Sequence, residues 1–409
     1  MVELALRGSK CLDPTYPPKP TPFAQSCKLC SSCLKILSRP SPMFLVTTCQ
    51  AEVMFLPSKN KFMKFKFIVA SFLVLLLLAF RSQAENAPDR FMGDWQGSVS
   101  INGSEKQTVA VYMIPLGEGH YDARFVADFA HRGPYLFRLR GSIHDGQLKF
   151  VDDVALDAEH VAEATERGVT FKASLWSGKL ADSAVEGTIA GVQTGSFELH
   201  KTERVSTELG KPAPAGAVIL FDGTTTEQWQ TRDGGRPISW KLLPGGVMEV
   251  VRGGDVVSKE KFADQQIHVE FRLPYMPHSF GQERANSGVY LQGRYETQVL
   301  DSYGLEGHDN ECGGFYQIRQ PDVNMCFPPL QWQSYDITLH QAKVDADGKK
   351  IANARVTVIH NGTVIHDNFE LPHVTPGGVS NKEGEPYGLM LQDHGTPVQY
   401  RNIWIKRLD

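Results

Sequence analysis

The chain has 409 residues, with 42 Lys and Arg against 46 Asp and Glu and a formal net charge of −4. That length accommodates two or three domains. A slightly acidic balance offers no electrostatic footprint for nucleic acid, so a nucleic-acid partner is not expected.

From Met63 the sequence reads MKFKFIVASFLVLLLLAFRSQAENA, with Lys64 and Lys66, an apolar core from Phe67 to Phe80, then Ser82-Gln83-Ala84. Basic, apolar and small-residue segments in that order predict a secretory signal peptide over residues 63–84, cleaved after Ala84. The apolar run is shorter than the ~20 residues that span a bilayer. Export to the periplasm or the extracellular space is therefore expected, with no stable membrane anchor after cleavage. Residues 1–62 carry Cys11, Cys27, Cys30, Cys33 and Cys49, including CKLCSSC, a spacing that can hold zinc inside a folded unit. The flanks are rich in Pro and Lys and show no pattern for a core. This segment is read as a spurious or disordered extension ahead of a leader that begins at Met63. After processing only Cys312 and Cys326 are left. A disulfide in an oxidising compartment and two free buried thiols are both open readings.

Residues 85–208 contain many short alternating segments, among them DWQGSVSI, QTVAVYMI, YLFRLRGSI, GVTFKASLW and GSFELHKTE. Gly, Asp and Asn punctuate them closely, which predicts a small antiparallel barrel or sandwich. ALDAEHVAEATERG reads as a short helix or a long loop. LGKPAPAGA, spanning Leu209 to Ala217, marks the boundary, with a linker at residues 209–216.

Residues 217–409 read as a second β domain. In QIHVEFRLP, Ile267, Val269, Phe271 and Leu273 share one face, as alternation on a strand requires. ANSGVYLQGRYETQVLDSYG alternates for more than ten residues: Val289, Leu291, Tyr295, Thr297 and Val299 against Gln292, Arg294, Glu296 and Gln298. Asn361-Gly362 between β-branched runs signals a hairpin. No helical period is sustained, so a two-sheet sandwich is expected, with Val269, Phe271, Val289, Leu291 and Val299 in its core.

Three separated stretches, LFDGTTTEQW, NSGVYLQGRYETQVLDSYG and LMLQDHGTPVQYRNIWIKRL, resemble the 3-keto-disaccharide hydrolase domain family over about residues 217–409. The resemblance implies an all-β, concanavalin-like jelly-roll sandwich in an exported protein. It further implies cleavage of glycosides already oxidised to a ketone at C3, hence a carbohydrate substrate. No dinucleotide fingerprint is present, so a separate sugar 3-dehydrogenase is the implied partner. The insertion HQAKVDADGKKIANARVTV is longer than the family's usual strand connection. GLEGHDNECGGFYQIRQPDVNMCFPPLQW keeps the family's pattern of a variable loop leading to Pro and Trp, its differences bearing on substrate identity more than on fold.

A ketone at C3 acidifies the proton at C2. One base can then form an enolate and expel the C1 substituent, and added water completes a net hydrolysis. The route needs a base near C2, a donor at the C3 oxygen and an acid for the leaving group. Glu296 and His394 are the candidate bases, the latter titrating near neutrality, with Asp301 as a third catalytic candidate. Arg284, Asn286 and Gln392 are candidates for the ketone oxygen. Gln298 and Asp393 are further binding candidates, and Tyr303 and Trp332 are candidates for stacking on a sugar face. Ordinary glycosidases flank the scissile bond with two carboxylates. Glu296 and Asp301 would lie on opposite faces of a continuous strand, so such a dyad needs a bulge. No cofactor is predicted. Asp301, Asp393, His394 and Glu296 are acceptable ligands for a divalent cation, but no spaced metal signature is present and none is assigned. A non-catalytic carbohydrate-binding module and a structural or adhesive protein are the rival readings, since sandwiches host many functions.

Overall fold

A computed structural model describes residues 89–144, 147–152, 174–181, 183–191 and 193–408. The expected leader, the Cys-rich extension and the ALDAEHVAEATERG segment lie outside the described residues. The first eight strands are β1 (Gly93–Ile101), β2 (Gln107–Gly117), β3 (His120–Val126), β4 (Phe137–His144), β5 (Gln147–Asp152), β6 (Ser174–Ala181), β7 (Ala184–Gly191) and β8 (Gly195–Thr202). Each pairs antiparallel with the next, and β8 returns to β1, so the open choice resolves to a closed barrel. Alternation sorts the side chains. Along β2, Val109, Val111 and Met113 fill the barrel with Trp95, Phe125, Phe150 and Trp176. Ala110, Tyr112 and Ile114 point the other way and join the core of the second domain.

That second domain is the expected sandwich. Its smaller sheet has the order β10 (Trp229–Thr231), β13 (Val256–Ser258), β22 (Met390–Leu391), β15 (Ser287–Leu291), β16 (Tyr295–Val299). The larger runs β11 (Lys241–Leu243), β12 (Val247–Glu249), β23 (Gln399–Arg407), β14 (Gln265–Arg272), β17 (Trp332–His340), β20 (Ala354–His360), β21 (Thr363–Leu371), with β9 (Val218–Phe221) beside β23. The inserted sequence forms a side hairpin, β18 (Lys343–Val344) and β19 (Lys350–Ala352). Between the sheets Val289, Leu291, Tyr295 and Val299 pack with Val269, Phe271, Tyr335 and Ile337. All five core residues predicted from alternation are fully buried. Asn361 and Gly362 take φ of 52° and 84° at the predicted β20–β21 hairpin.

One strand expectation is corrected. The alternating run is a tight hairpin, in which Leu291 pairs with Tyr295 and both Gln292 (φ 50°) and Gly293 (φ 61°) take positive φ. Three residues separate Leu291 from Tyr295, so side-chain parity is preserved across the turn. A hairpin therefore imitates one long strand in the sequence. Gln292 and Arg294 belong to this turn and not to a polar sheet face.

The start of the predicted linker, with Ser206 just ahead of it, lies strapped across the outward face of the larger sheet. Ser206 Oγ meets Ser334 Oγ at 2.6 Å, and Gly210 N donates to Glu270 Oε1 at 2.6 Å. Lys211 Nζ reaches Asp336 Oδ1 at 3.0 Å, and its carbonyl accepts from Asn402 and Trp404. Beneath the strap His268 bridges two carboxylates, with Nδ1 at 3.1 Å from Asp336 Oδ1 and Nε2 at 3.4 Å from Glu270 Oε1.

Candidate active site

The smaller sheet turns one face to the inter-sheet core and the other outward. Register sets the outward row: Val257 opposes Met390, Met390 opposes Tyr290, and Tyr290 opposes Glu296. One step along, Gly288 opposes Gln298, and the backbone N of Gln392 donates to Gly288 O at 3.0 Å. A Cβ on Gly288 would lie 2.4 Å from Glu296 Oε1 and 2.9 Å from the Tyr290 ring. The glycine thus leaves the space in which the carboxyl sits. Gly288→Ala is expected to displace Glu296, and a crystal structure of that variant with the carboxyl unmoved would contradict this.

Glu296 is only 3 % exposed. Burial pushes its carboxyl up to about 8, with the Tyr290 hydroxyl opposing and the charge of Asp255 adding to the rise. Tyr290 in turn is pushed far above the usual phenol range, first by burial and then by Glu296. A turn from Thr375 to Val379 seals this face. Thr375 Oγ1 accepts from Glu296 N at 2.8 Å and donates to Arg294 O at 3.0 Å. Tyr290 OH donates to Pro376 O at 3.2 Å, and Arg232 Nη2 donates to Gly378 O at 2.5 Å. Arg232 is itself paired with Asp255, Nη1 to Oδ2 at 3.0 Å.

Beside the carboxyl runs a chain of amides. Gln298 Nε2 and Asn286 Nδ2 both donate to Gln282 Oε1, at 3.3 and 3.1 Å, and Gln282 Nε2 donates to Asn310 O at 2.7 Å. Gln282 lies on a short 3-10 helix, Gly281–Glu283. Gln392 Nε2 contacts the Tyr290 hydroxyl at 3.3 Å. Asn286 Oδ1 and Gln392 Oε1 are buried without a hydrogen-bond partner among the described residues. Buried polar atoms normally have partners, so two unused acceptors suit a ligand that donates, such as a sugar hydroxyl.

Of the sequence-predicted residues, Glu296, Gln298, Asn286 and Gln392 are thus gathered on this face or bonded into it. Asp393 shapes a turn: its Oδ2 accepts from Gly253 N and Gly254 N, both at 2.9 Å, and its Oδ1 from Gly395 N. His394 is exposed beyond β22 and makes no hydrogen bond or ion pair among the described residues. Asp301 lies past the end of β16 and is occupied by Arg284, Nε to Oδ2 at 2.6 Å. The two stacking candidates sit elsewhere. Tyr303 OH donates to Asp94 Oδ1 of the barrel at 2.8 Å. Trp332 is on the outward face of the other sheet, where Arg272 and Arg401 lie 4.8 and 4.1 Å from its ring centroid. Cys312 and Cys326 are buried free thiols. Among the described residues no group of three or more His, Cys, Asp or Glu side chains gathers as a metal site. Tyr290, Gly288, Gln282, Asp255 and Arg232 escaped the sequence reading. Tyr290 shares the parity of Glu296, and that signal could have found it.

Residues 216–406 match the family described as a 3-keto-alpha-glucoside-1,2-lyase-like domain. The C-terminal domain belongs to that family over those residues. Among solved structures, a protein of Parabacteroides distasonis described as a "putative glycosyl hydrolase" is similar at 35% identity. The match covers 48% of this chain and 85% of that one, with a TM-score of 0.45. A second protein so described from the same organism matches at 22% identity, over 47% of this chain and 94% of its own, with a TM-score of 0.36. No curated protein matches the chain. The barrel, residues 93–202, lies outside the matched lyase-like domain.

Proposed function

We propose that the lyase-like domain cleaves 3-keto-glycosides by 1,2-elimination, with Glu296 as the base. The observation that carries this is one carboxyl, buried, with its pKa raised to about 8, lying beside Tyr290 in the cross-strand register. A base tuned close to the working pH both ionises and takes up a proton readily. Ionised Glu296 takes the proton from C2. The electron pair forms an enolate whose charge rests on the C3 oxygen, and then expels the C1 substituent as the C1–O bond breaks. The departing oxygen takes up a proton, for which exposed His394 is the proposed source. Addition of water to the unsaturated ketone completes a net hydrolysis. Tyr290 is the proposed donor to the C3 oxygen, exchanging its bond to Pro376 O for one to the ketone. Asp301 has no part in this route, which agrees with its engagement by Arg284. Because Glu296 is covered, substrate entry requires the Thr375–Val379 turn to lift, breaking the Tyr290 and Arg232 bonds to its carbonyls.

Export through the 63–84 leader and an upstream sugar 3-dehydrogenase belong to the same proposal. The test is incubation of the mature chain from Glu85 with 3-keto-glucosides and their unoxidised parents, followed by product analysis. Only the 3-keto compounds should be consumed. His394→Asn should slow substrates with poor leaving groups more than those with good ones. Binding of both series without turnover would support a carbohydrate-binding module instead.

A further inference from the structure

The amide chain of the candidate site hangs between two segments, one entering β15 and one leaving β16, and both are fastened to the barrel. We propose that the barrel is a positioning element of the active site. In this arrangement its β1–β3 wall fixes the Tyr275–Arg284 and Tyr303–Asn310 segments, and through them Gln282 orients Asn286 and Gln298. The proposal rests on the site reading above and gives the barrel a role within it.

On the entering side, Tyr275 OH donates to Asp89 Oδ2 at 3.1 Å. The Oδ1 of that carboxylate accepts from Tyr121 OH at 2.7 Å and from the backbone N of Phe91 and Met92. Arg284 Nη2 donates to Pro115 O at the end of β2, at 3.4 Å. Gln282 lies between these two ties and inherits their position. On the leaving side, Asp94 accepts from Tyr303 OH at 2.8 Å and from Arg204 Nε at 2.7 Å. Gly304 O accepts from Arg124 Nη1 at 3.3 Å and from Tyr135 OH at 3.0 Å. Gly304 has φ +70°, and a Cβ there would lie 2.7 Å from Tyr112 Cβ and 2.8 Å from Ile114 Cδ1. That segment ends on Asn310, whose carbonyl holds Gln282 Nε2. Arg284 joins the two sides through Asp301. An orienting amide is useful only while its own support is rigid, because a displacement of ~1 Å remote from the chemistry can cost ~10²-fold in rate.

Tyr275→Phe removes one hydroxyl and its bond to the barrel. Gly304→Ala drives a methyl into Tyr112 and Ile114. Gly348→Ala is the control: Gly348 has φ +78° in the β18–β19 hairpin with nothing within 4 Å of its Cβ position, so it adds similar backbone strain away from the barrel. Hydrogen exchange of residues 276–286 is measured in the unliganded full chain, with kcat and KM on a 3-keto-glucoside. Exchange in that segment should quicken about tenfold in both test variants and not in the control. The loss in kcat/KM should be about tenfold and fall mainly on kcat, because the amides lose orientation while cooperative unfolding is retained. If 276–286 exchanges in Tyr275→Phe and Gly304→Ala as it does in Gly348→Ala, the proposal is overturned. Unchanged kcat in variants whose exchange has quickened overturns it equally. Absence of wild-type turnover on every 3-keto-glucoside would refute the reaction assigned above, while the exchange comparison still decides the barrel's role.

Discussion

Glu296→Gln is expected to lower kcat on a 3-keto-glucoside by ~10²–10⁴-fold, the usual contribution of a positioned acid–base group. KM should change far less, because the amide keeps the shape and the hydrogen-bonding capacity of the carboxyl. The pH dependence follows from the direction of the shift. Glu296 is mostly protonated at neutrality, so kcat/KM should rise with pH and level off above about 8. If Glu296 instead acted as the acid, the same limb would descend. The variant should also alter stability in a sign-specific way. A carboxyl with a folded pKa raised to about 8 binds more protons folded than unfolded between its ordinary value and 8. Its contribution is complete at low pH and is lost as the pH rises through 8. Wild type should therefore lose thermal stability relative to Glu296→Gln across that window. Parallel Tm profiles for the two proteins, together with undiminished kcat, would remove Glu296 from the mechanism.

Glu270→Ala is expected to destabilise the sandwich by about 3–5 kcal/mol, the cost of breaking a buried charge network by deleting one partner. Glu270 is fully buried and accepts from Gly210 N at 2.6 Å, Arg401 Nε at 2.6 Å, Asn402 Nδ2 at 2.8 Å, with His268 at 3.4 Å. Gly210 N and Arg401 Nε would lose this acceptor under the strap, while Asn402 would keep Lys211 O and His268 would keep Asp336. For a domain of this size the loss corresponds to roughly 10 °C in Tm. Although burial alone would raise it, bonds from His268, Asn402, Gly210 and Arg401 hold the carboxyl at about 2. That stabilisation is present above the ordinary carboxylate range and disappears as the pH falls through 2. His268 works in the opposite sense. Burial lowers its pKa but the two carboxylates prevail and raise it, so its contribution is complete below the ordinary imidazole value and fades as the pH rises through the raised one. The network is thus strongest in mildly acidic solution. Urea unfolding at pH 6 and 8 measures this, and a loss under about 1 kcal/mol in Glu270→Ala would show that the strap is held by other contacts.

Much of this was written in local pattern. Alternation placed Val269, Phe271, Val289, Leu291 and Val299 in the core because a strand has only two faces and only one is dry. Asn361-Gly362 announced its hairpin because few residues accept positive φ twice in succession. The Gln292–Gly293 turn was missed for an equally local reason, since its length leaves the parity of the flanking strands unchanged. Glu296 and Gln298 could be assigned to one face by the same counting. What they meet there could not be counted. Tyr290 lies opposite Glu296 only through the hairpin register, and Thr375, 79 residues away, closes over its backbone. That closure excludes water, and exclusion of water is what raises the Glu296 carboxyl. Tyr303 and Trp332 show the converse. Both are aromatic, yet one turns to Asp94 of the barrel and the other lies against two arginines on the far sheet. Side-chain type and parity are properties of a single strand and can be read along the chain. Which strand lies beside it, which turn covers it and how much water reaches a carboxyl are set only when distant segments pack together.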